Sequence, residues 1–453
     1  MKKNLDQLYY ANQQLAKLPK HIKRQILGNK QYRYDTRFSP DKFFHLIATR
    51  LQLQDLMSIT HGNQLYSTGS IILFEILNHL LGYNSINSAY GRLYCEFDCF
   101  YNNICKFLEN WTGCKFTRVF NQSTIAKRIN KVSTNDLIDI LRYTAKYAIR
   151  SNIVKNKLNN YGYDTIIIDG TGVFSSQKNA IENACTKTSS KDNTVTHQVH
   201  MVAAIYTNGD EIMFADVEFV NNSDKSEFDK QGCELESCKK LLPRLFSSKP
   251  YTQLFLLDAL FKSSAIMQLI EQHHQYYGIN IGPEHSKELE QVLQRRLNNK
   301  NIIVPKVEMK YNDRDIVAYA LIRHKLFKKY KYYYNILMVY DKQTNKLIAC
   351  ILTNIPELQT NLERAVKILL SRHWDIENQC FNVTKHGLIY AEWNRHRSSL
   401  YGIQNGIVIS LIAMQYICLF KLSKQSCINP GWKWYVLLCA LKNMTVLMRA
   451  AKI

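Results

Sequence analysis

Three acidic residues of this chain stand where chemistry could use them. Asp169 follows the isoleucines of "DTIIIDGTGVFSS" (164–176), and a Gly-Thr-Gly turn is expected directly after it. Asp258 ends the apolar run "LFLLD" in the same way, before the chain passes into "ALFKSS". Glu377 lies in "RHWDIENQCFNVTK". On a helix, His373 and Trp374 would precede it by one turn, Phe381 would follow by one turn, and Lys385 would lie two turns on. Taken singly, each has a plain structural explanation. An aspartate after a strand suits a turn, and an acid between cations on a helix suits pairing on a solvated face. Two strands that both end in a lone aspartate are harder to dismiss. If they are sheet neighbours running the same way, both carboxylates reach one edge. There they repel and raise each other's pKa unless a cation sits between them. Mg²⁺ suits such a pair because it prefers oxygen ligands and keeps part of its water shell.

The elements that would position these acids follow from periodicity. Apolar residues recur at helical spacing through roughly residue 150, as Leu137, Leu141, Ala145, Ala148 and Ile149 do. Residues 1–155 therefore read as a helical domain with a DNA-binding or accessory role. Within it, "NQSTIAKRINKVSTNDL" has the size and polarity of a helix-turn-helix piece, with Lys127 and Arg128 placed for phosphate contact; a solvated basic helix fits equally. Near Gly162 the character changes. "TIIID", "HQVHMVAAIYT" and "EIMFADVEF" read as three strands, the last two joined by the hairpin turn "NGD". A helix ("SCKKLLPRLF"), the strand "QLFLLD", a helix ("SSAIMQLIEQHH") and a short strand ("GINIG") follow. Residues 160–282 thus form the first part of a mixed-sheet core.

Residues 283–356 interrupt that core with a charged helix ("SKELEQVLQRRL") and strand-like runs ("YYYNILMVYD", "KLIACILTNI"), which reads as a β-rich insertion. It carries "RHKLFKKYKYYY", where Lys328, Lys329 and Lys331 alternate with aromatic rings. That composition suits phosphate contacts with base stacking, and equally an edge strand guarded by lysines. Residues 357–453 complete the core with a long helix after Pro356, which carries Glu377, and with C-terminal helices.

Composition narrows the partners. The chain has 453 residues and a formal net charge of +22, with a pI near 9.4. Such a balance points to a polyanion, nucleic acid before an anionic membrane. Its 46% hydrophobic and 21% charged residues describe a folded protein. Twelve cysteines in this length are no disulfide scaffold. Cys95, Cys99, Cys105 and Cys114 cluster without zinc-ligand spacing. The N-terminus lacks the apolar core of a secretory signal. The uncharged stretch between Arg397 and Lys421 is broken by Gln404, Asn405 and Gln415, and its fully apolar run is short for a bilayer, so a buried helix is expected.

The order of the three acids, with a β-rich insertion before the third, resembles the DDE transposases of bacterial insertion sequences. "IDGTGVFSS" is similar to that group's first-aspartate motif, "THQVHMVAA" to its next strand, and "WDIENQCFNVTKHG" to its glutamate signature. The resemblance covers roughly residues 160–420. It implies an RNase H-like mixed sheet flanked by helices. It also implies that Asp169, Asp258 and Glu377 hold two Mg²⁺ ions, for which Mn²⁺ can substitute. Lys385 matches a phosphate-contacting lysine of the signature. The arginine expected one turn before the glutamate is replaced by His373, with Arg372 one residue earlier; a histidine is a poorer phosphate clamp. The glycines of "DGTG" would leave room for metal and a DNA phosphate. The resemblance further implies cleavage of double-stranded DNA at terminal inverted repeats and strand transfer into target DNA by two metal ions. A synaptic homodimer, no membrane partner and a bacterial, cytoplasmic, nucleoid-associated setting come with it. Three other functions compete. A haloacid dehalogenase-type phosphatase needs an aspartate where Ile167 stands. A nuclease of the same fold would cut without joining, and a decayed or domesticated DNA-binding protein would bind without cutting.

Overall fold

A computed structural model describes residues 68–80, 121–150, 158–177, 181–182, 184–189, 191–209, 212–221, 230–246, 253–281, 283–325, 333–370 and 399–422. The chain divides into two compact units, residues 156–380 and a helical unit made of residues 1–155 and 381–453. In the helical unit the first described elements are α1 (Thr68–Leu80), α2 (Gln122–Ile129) and α3 (Thr134–Arg150).

The other unit is built on one sheet of eleven described strands. A two-residue β1 (Asn159–Asn160) leads into β2 (Tyr163–Ser176), then β3 (Cys185–Thr188), β4 (Val195–Thr207) and β5 (Ile212–Phe219). Helix α4 (Lys230–Leu245) separates these from β6 (Gln253–Leu257), and α5 (Ser264–Gln272) connects β6 to β7 (Tyr276–Asn280). Strand β4 pairs antiparallel with both β2 and β5, whereas β6 runs parallel to β2 and β7 parallel to β6. The order β5-β4-β2-β6-β7, with β2 central, is the RNase H-like arrangement that the sequence predicts. Parallel neighbours require crossover helices, and α5 lies in the β6–β7 crossover. Isoleucines 166, 167 and 168 are at most 1% exposed. Their run is unbroken because helices cover both faces at the sheet centre; each buried side chain contributes about 1.5–3 kcal/mol.

The insertion does not form a separate sheet. After α6 (Pro283–Leu297) come β8 (Lys306–Tyr311), β9 (Arg314–Lys325), β10 (Tyr333–Asp341) and β11 (Leu347–Thr353). Strand β11 pairs antiparallel with β7, so the order continues as β7-β11-β10-β9-β8. Strands β8 and β9 were not anticipated as strands. The alternation in "KVEMKY" is half-exposed against fully exposed, too weak to stand out in the sequence. Lys328, Lys329 and Lys331 of "RHKLFKKYKYYY" lie outside the described residues, and its described ends pair only with each other, Lys325 with Tyr333 and His324 with Tyr334. Arg323–Lys325 end β9 beyond its pairing with β8, which stops at Tyr319, and Tyr333 and Tyr334 begin β10 before its pairing with β11, which starts at Asn335.

The long helix expected after Pro356 is broken. A single turn, α7 (Glu357–Thr360), ends at Asn361, whose φ of −154° and ψ of 86° are extended. A new helix, α8 (Leu362–Leu370), then begins with the Asn361 side chain accepting from the Arg364 amide at 3.0 Å. An asparagine competes for local backbone donors and so starts a helix better than it continues one. Arg364 donates to the Tyr161 carbonyl at 2.6 Å, and Tyr163 donates to Glu357 at 2.7 Å. These bonds tie the α7–α8 break to the start of β2.

In the helical unit, α9 (Leu400–Leu422) packs against α3, α1 and α2. A helix that is apolar all round belongs in a protein core or a membrane. Here the described side chains from Gly402 to Tyr416 are buried, apart from the half-buried Gln404, as the sequence predicts. Among the described residues no helix is long and apolar enough to cross a membrane.

Candidate active site

The site is set by where β2 loses one neighbour. Pairing of β2 with β6 ends at Ile168↔Leu257, whereas pairing with β4 continues through Asp169↔Ala203 to Ser176↔His197. Asp169 therefore does not close its strand, and no turn follows it. Gly170, Thr171 and Gly172 remain in β2, which bends only at a bulge between Gly172 and Phe174. The sequence misleads here because glycines weaken a strand signal, while thirteen residues of β4 hold the segment extended from one side.

On the β6 side, Asp258 is the first residue past the strand. It stays extended (φ −74°, ψ 167°) and leads into a 3₁₀ turn, Ala259–Phe261, anchored by the fully buried Phe261. Asp169 and Asp258 are thus one register step beyond the last pair of two parallel strands, which run about 4.8 Å apart. Alternation puts Ile167, Asp169, Leu256 and Asp258 on one face of the sheet. Both aspartates are half-buried. The Gly170 amide donates to Asp169 Oδ1 at 2.7 Å, so this carboxylate is held against its own backbone.

Helix α8 covers that same face. Gly278 pairs with Leu256, and a Cβ built on Gly278 would stand 2.7 Å from Leu369 Cδ2 and 2.9 Å from Leu256 Cδ2. Helix α8 therefore lies on the same face of the sheet as both aspartates, and a glycine lets it approach. A cavity of about 490 Å³ opens beside it, bounded by Gly278, Asn280, Arg314, Ile351 and Leu369. Glu377, Arg372, His373 and Lys385 lie outside the described residues, as do Lys328, Lys329 and Lys331 and the four clustered cysteines.

The glycines of "DGTG" serve the opposite face. A Cβ on Gly170 would meet the Glu234 carboxylate of α4 at 2.6–2.8 Å, and one on Gly172 would meet the His200 ring at 3.4 Å. Glu234 is fully buried, its Oε1 lies 3.8 Å from His200 Nδ1, and His200 Nε2 lies 3.1 Å from Gln198 Oε1. The room these glycines make is filled by protein, not kept for metal and phosphate. Sequence reasoning missed Glu234 and His200. The only available signal was two glycines at i, i+2 in one strand, which marks a close approach on one face without saying from where.

Lys127 and Arg128 lie on α2 in the helical unit, exposed and half-buried respectively. Asn121 caps this helix by accepting from the Ser123 amide at 3.2 Å. The piece "NQSTIAKRINKVSTNDL" is two helices joined by a turn. The exposed start of α3 carries Asp136 and Asp139, the latter paired with Arg142. Cations lie along both helices and the turn, Lys127 and Arg128 on α2, Lys131 in the turn, and Arg142, Lys146 and Arg150 on α3. Among the described residues no group of three or more His, Cys, Asp or Glu side chains forms a metal cluster.

No family model matches this chain, and no curated protein matches it. Among solved structures, a piggyBac transposase synaptic complex with hairpin DNA aligns over 92% of this chain and 82% of that one, with 9% identity and a TM-score of 0.39. The fold assignment rests on the strand order and directions above, not on that superposition.

Proposed function

We propose that this chain is a DDE-type DNA transposase that cuts double-stranded DNA at the ends of an insertion sequence and joins the freed 3′ end to target DNA. One observation carries the reading: Asp169 and Asp258 occupy the same face at the same register step of parallel strands. Two carboxylates so placed favour an oxygen-loving dication between them. Asp169, Asp258 and Glu377 would hold Mg²⁺ or Mn²⁺. When bound there, such an ion would supply an activated water at neutral pH and neutralise charge on the phosphate. The chain's own residues do the rest. Lys385 and Arg372 contact the phosphate, and the Gly170 amide keeps one Asp169 oxygen oriented. The surplus of cations holds the duplex, so affinity falls steeply with salt. Because the freed 3′-hydroxyl attacks target DNA in the same site, no covalent protein–DNA intermediate is required. A synaptic homodimer on two ends and a bacterial, nucleoid-associated setting belong to the same reading.

A nuclease without strand transfer and a domesticated DNA-binding protein use the same residues to different ends. The DNA flanking the coding region is the first test, with short inverted repeats inside direct duplications expected. The purified chain with Mg²⁺ and a duplex bearing those ends should then yield molecules joined to a plasmid target. Free nicks alone would leave the nuclease, and uncut DNA the binding protein.

A further inference from the structure

We infer that Glu234 is a positioning residue for Asp169, acting through the backbone of Gly170 from behind the sheet. The inference rests on the reading of Asp169 and Asp258 as metal ligands. Beyond Ile168 the ladder pairing of β2 with β6 stops, whereas its pairing with β4 continues through residues 169–172. Glu234 supplies support from behind. Its carboxylate occupies the space over Gly170 where a Cβ would stand, at 2.6–2.8 Å. A glutamate is flexible and could ordinarily swing aside. This one has no exposed surface, and His200 Nδ1 lies 3.8 Å from Oε1. The ring is itself set over Gly172 and held by Gln198 at 3.1 Å.

Gly170 in turn sets Asp169, since its amide donates to Asp169 Oδ1 at 2.7 Å. A shift of the 169–170 peptide moves that donor and the carboxylate with it. The link runs from α4 to Gly170 and from Gly170 to Asp169, so Glu234 acts on the metal-facing side without touching it. Outer residues that orient a ligand typically change metal affinity about 10–100-fold when removed.

The test titrates Mn²⁺ alone into the full chain and reads free Mn²⁺ by electron paramagnetic resonance, with a thermal melt of each variant alongside. The wild type is expected to bind Mn²⁺ and Asp258→Asn to lose it; if the wild type binds none, or Asp258→Asn binds equally, the metal-site reading itself falls. Glu234→Ala is expected to weaken Mn²⁺ about tenfold or more, whereas Glu234→Gln, which keeps the shape over Gly170, stays within about twofold. Gly170→Ala collides with Glu234 and weakens binding similarly. Joined to Glu234→Ala it recovers, because the methyl fills the vacated space; independent effects would instead multiply to within about twofold. Wild-type affinity in Glu234→Ala, or multiplied losses in the double variant, overturns the role of Glu234. The recovery in the double variant separates positioning from loss of fold.

Discussion

Asp169 and Asp258 stand side by side because Ile168 and Leu257 are the last paired residues of β2 and β6. Neither aspartate is placed by a loop. Each follows directly from a buried strand whose register is fixed by its apolar face, and a slip of one residue would send one carboxylate to the opposite side of the sheet. Rigid strands hold side chains more firmly than loops do; Asp169 lies within β2, still paired with β4, and Asp258 is one residue past β6.

Asp258→Asn removes one charge from the pair while keeping its shape and the extended backbone that leads into the 3₁₀ turn. DNA binding, measured by gel retardation, is expected to stay at the wild-type level. Metal-dependent cleavage should fall about a thousandfold, the scale on which lost electrostatic stabilisation is felt. Undiminished cleavage would remove Asp258 from the site.

Gly278 tests the seating of α8. In Gly278→Ala the methyl meets Leu369 and Leu256 at 2.7 and 2.9 Å, and overpacking of this kind costs about 1–3 kcal/mol. The denaturation midpoint should drop, and Leu369→Ala in the same chain should recover part of the loss. A Gly278→Ala protein as stable as wild type would mean that α8 does not press on β7.

Asp164 gives a pH signature. It is 6% exposed, and burial raises its pKa to about 6 from 3.8, against the opposing hydrogen bond from Asn159 at 3.3 Å. Below both values the acid is protonated in folded and unfolded chains alike. As pH rises from 3.8 to 6 the unfolded chain ionises first, so the folded state loses relative stability, and the penalty is complete above 6. In Asp164→Asn that penalty is absent, so the variant should gain on wild type between pH 4 and 7, in urea unfolding read at each pH. An equal gap across that range would contradict the assignment.

Asn405 holds the turn between α2 and α3. Its amide donates to the Ile129 and Val132 carbonyls at 2.7 and 2.8 Å, and it accepts from the Thr134 hydroxyl at 2.7 Å. Asn405→Ala strands these three groups, each at about 1–3 kcal/mol, so a loss of at least about 3 kcal/mol is expected in denaturant unfolding. Tyr401→Ala, at a site 62% exposed one turn earlier, should change little.

The sheet was legible in the sequence because the strands of the core are apolar and bounded by polar turns. Three Ile residues before Asp169 and four apolar residues before Asp258 mark both strands, whereas the central position of β2 comes from its pairing with β4 on one side and β6 on the other. What escaped was tertiary. "DGTG" looked like a turn since nothing local shows that β4 runs alongside to Ser176. Asn361 breaks a helix whose flanking residues all favour it. Glu234 lies before the helix "SCKKLLPRLF" read from the sequence, and only the folded sheet brings it over Gly170.

The shared site is tested most directly by iron-directed cleavage of the chain itself. Fe²⁺ replaces Mg²⁺, and peroxide with ascorbate generates radicals that cut backbone beside the bound ion. Cuts next to both residue 169 and residue 258, suppressed by excess Mg²⁺ and lost in Asp169→Asn, are expected. Cuts beside neither, or beside one and unchanged in Asp169→Asn, would contradict a metal held between the two aspartates.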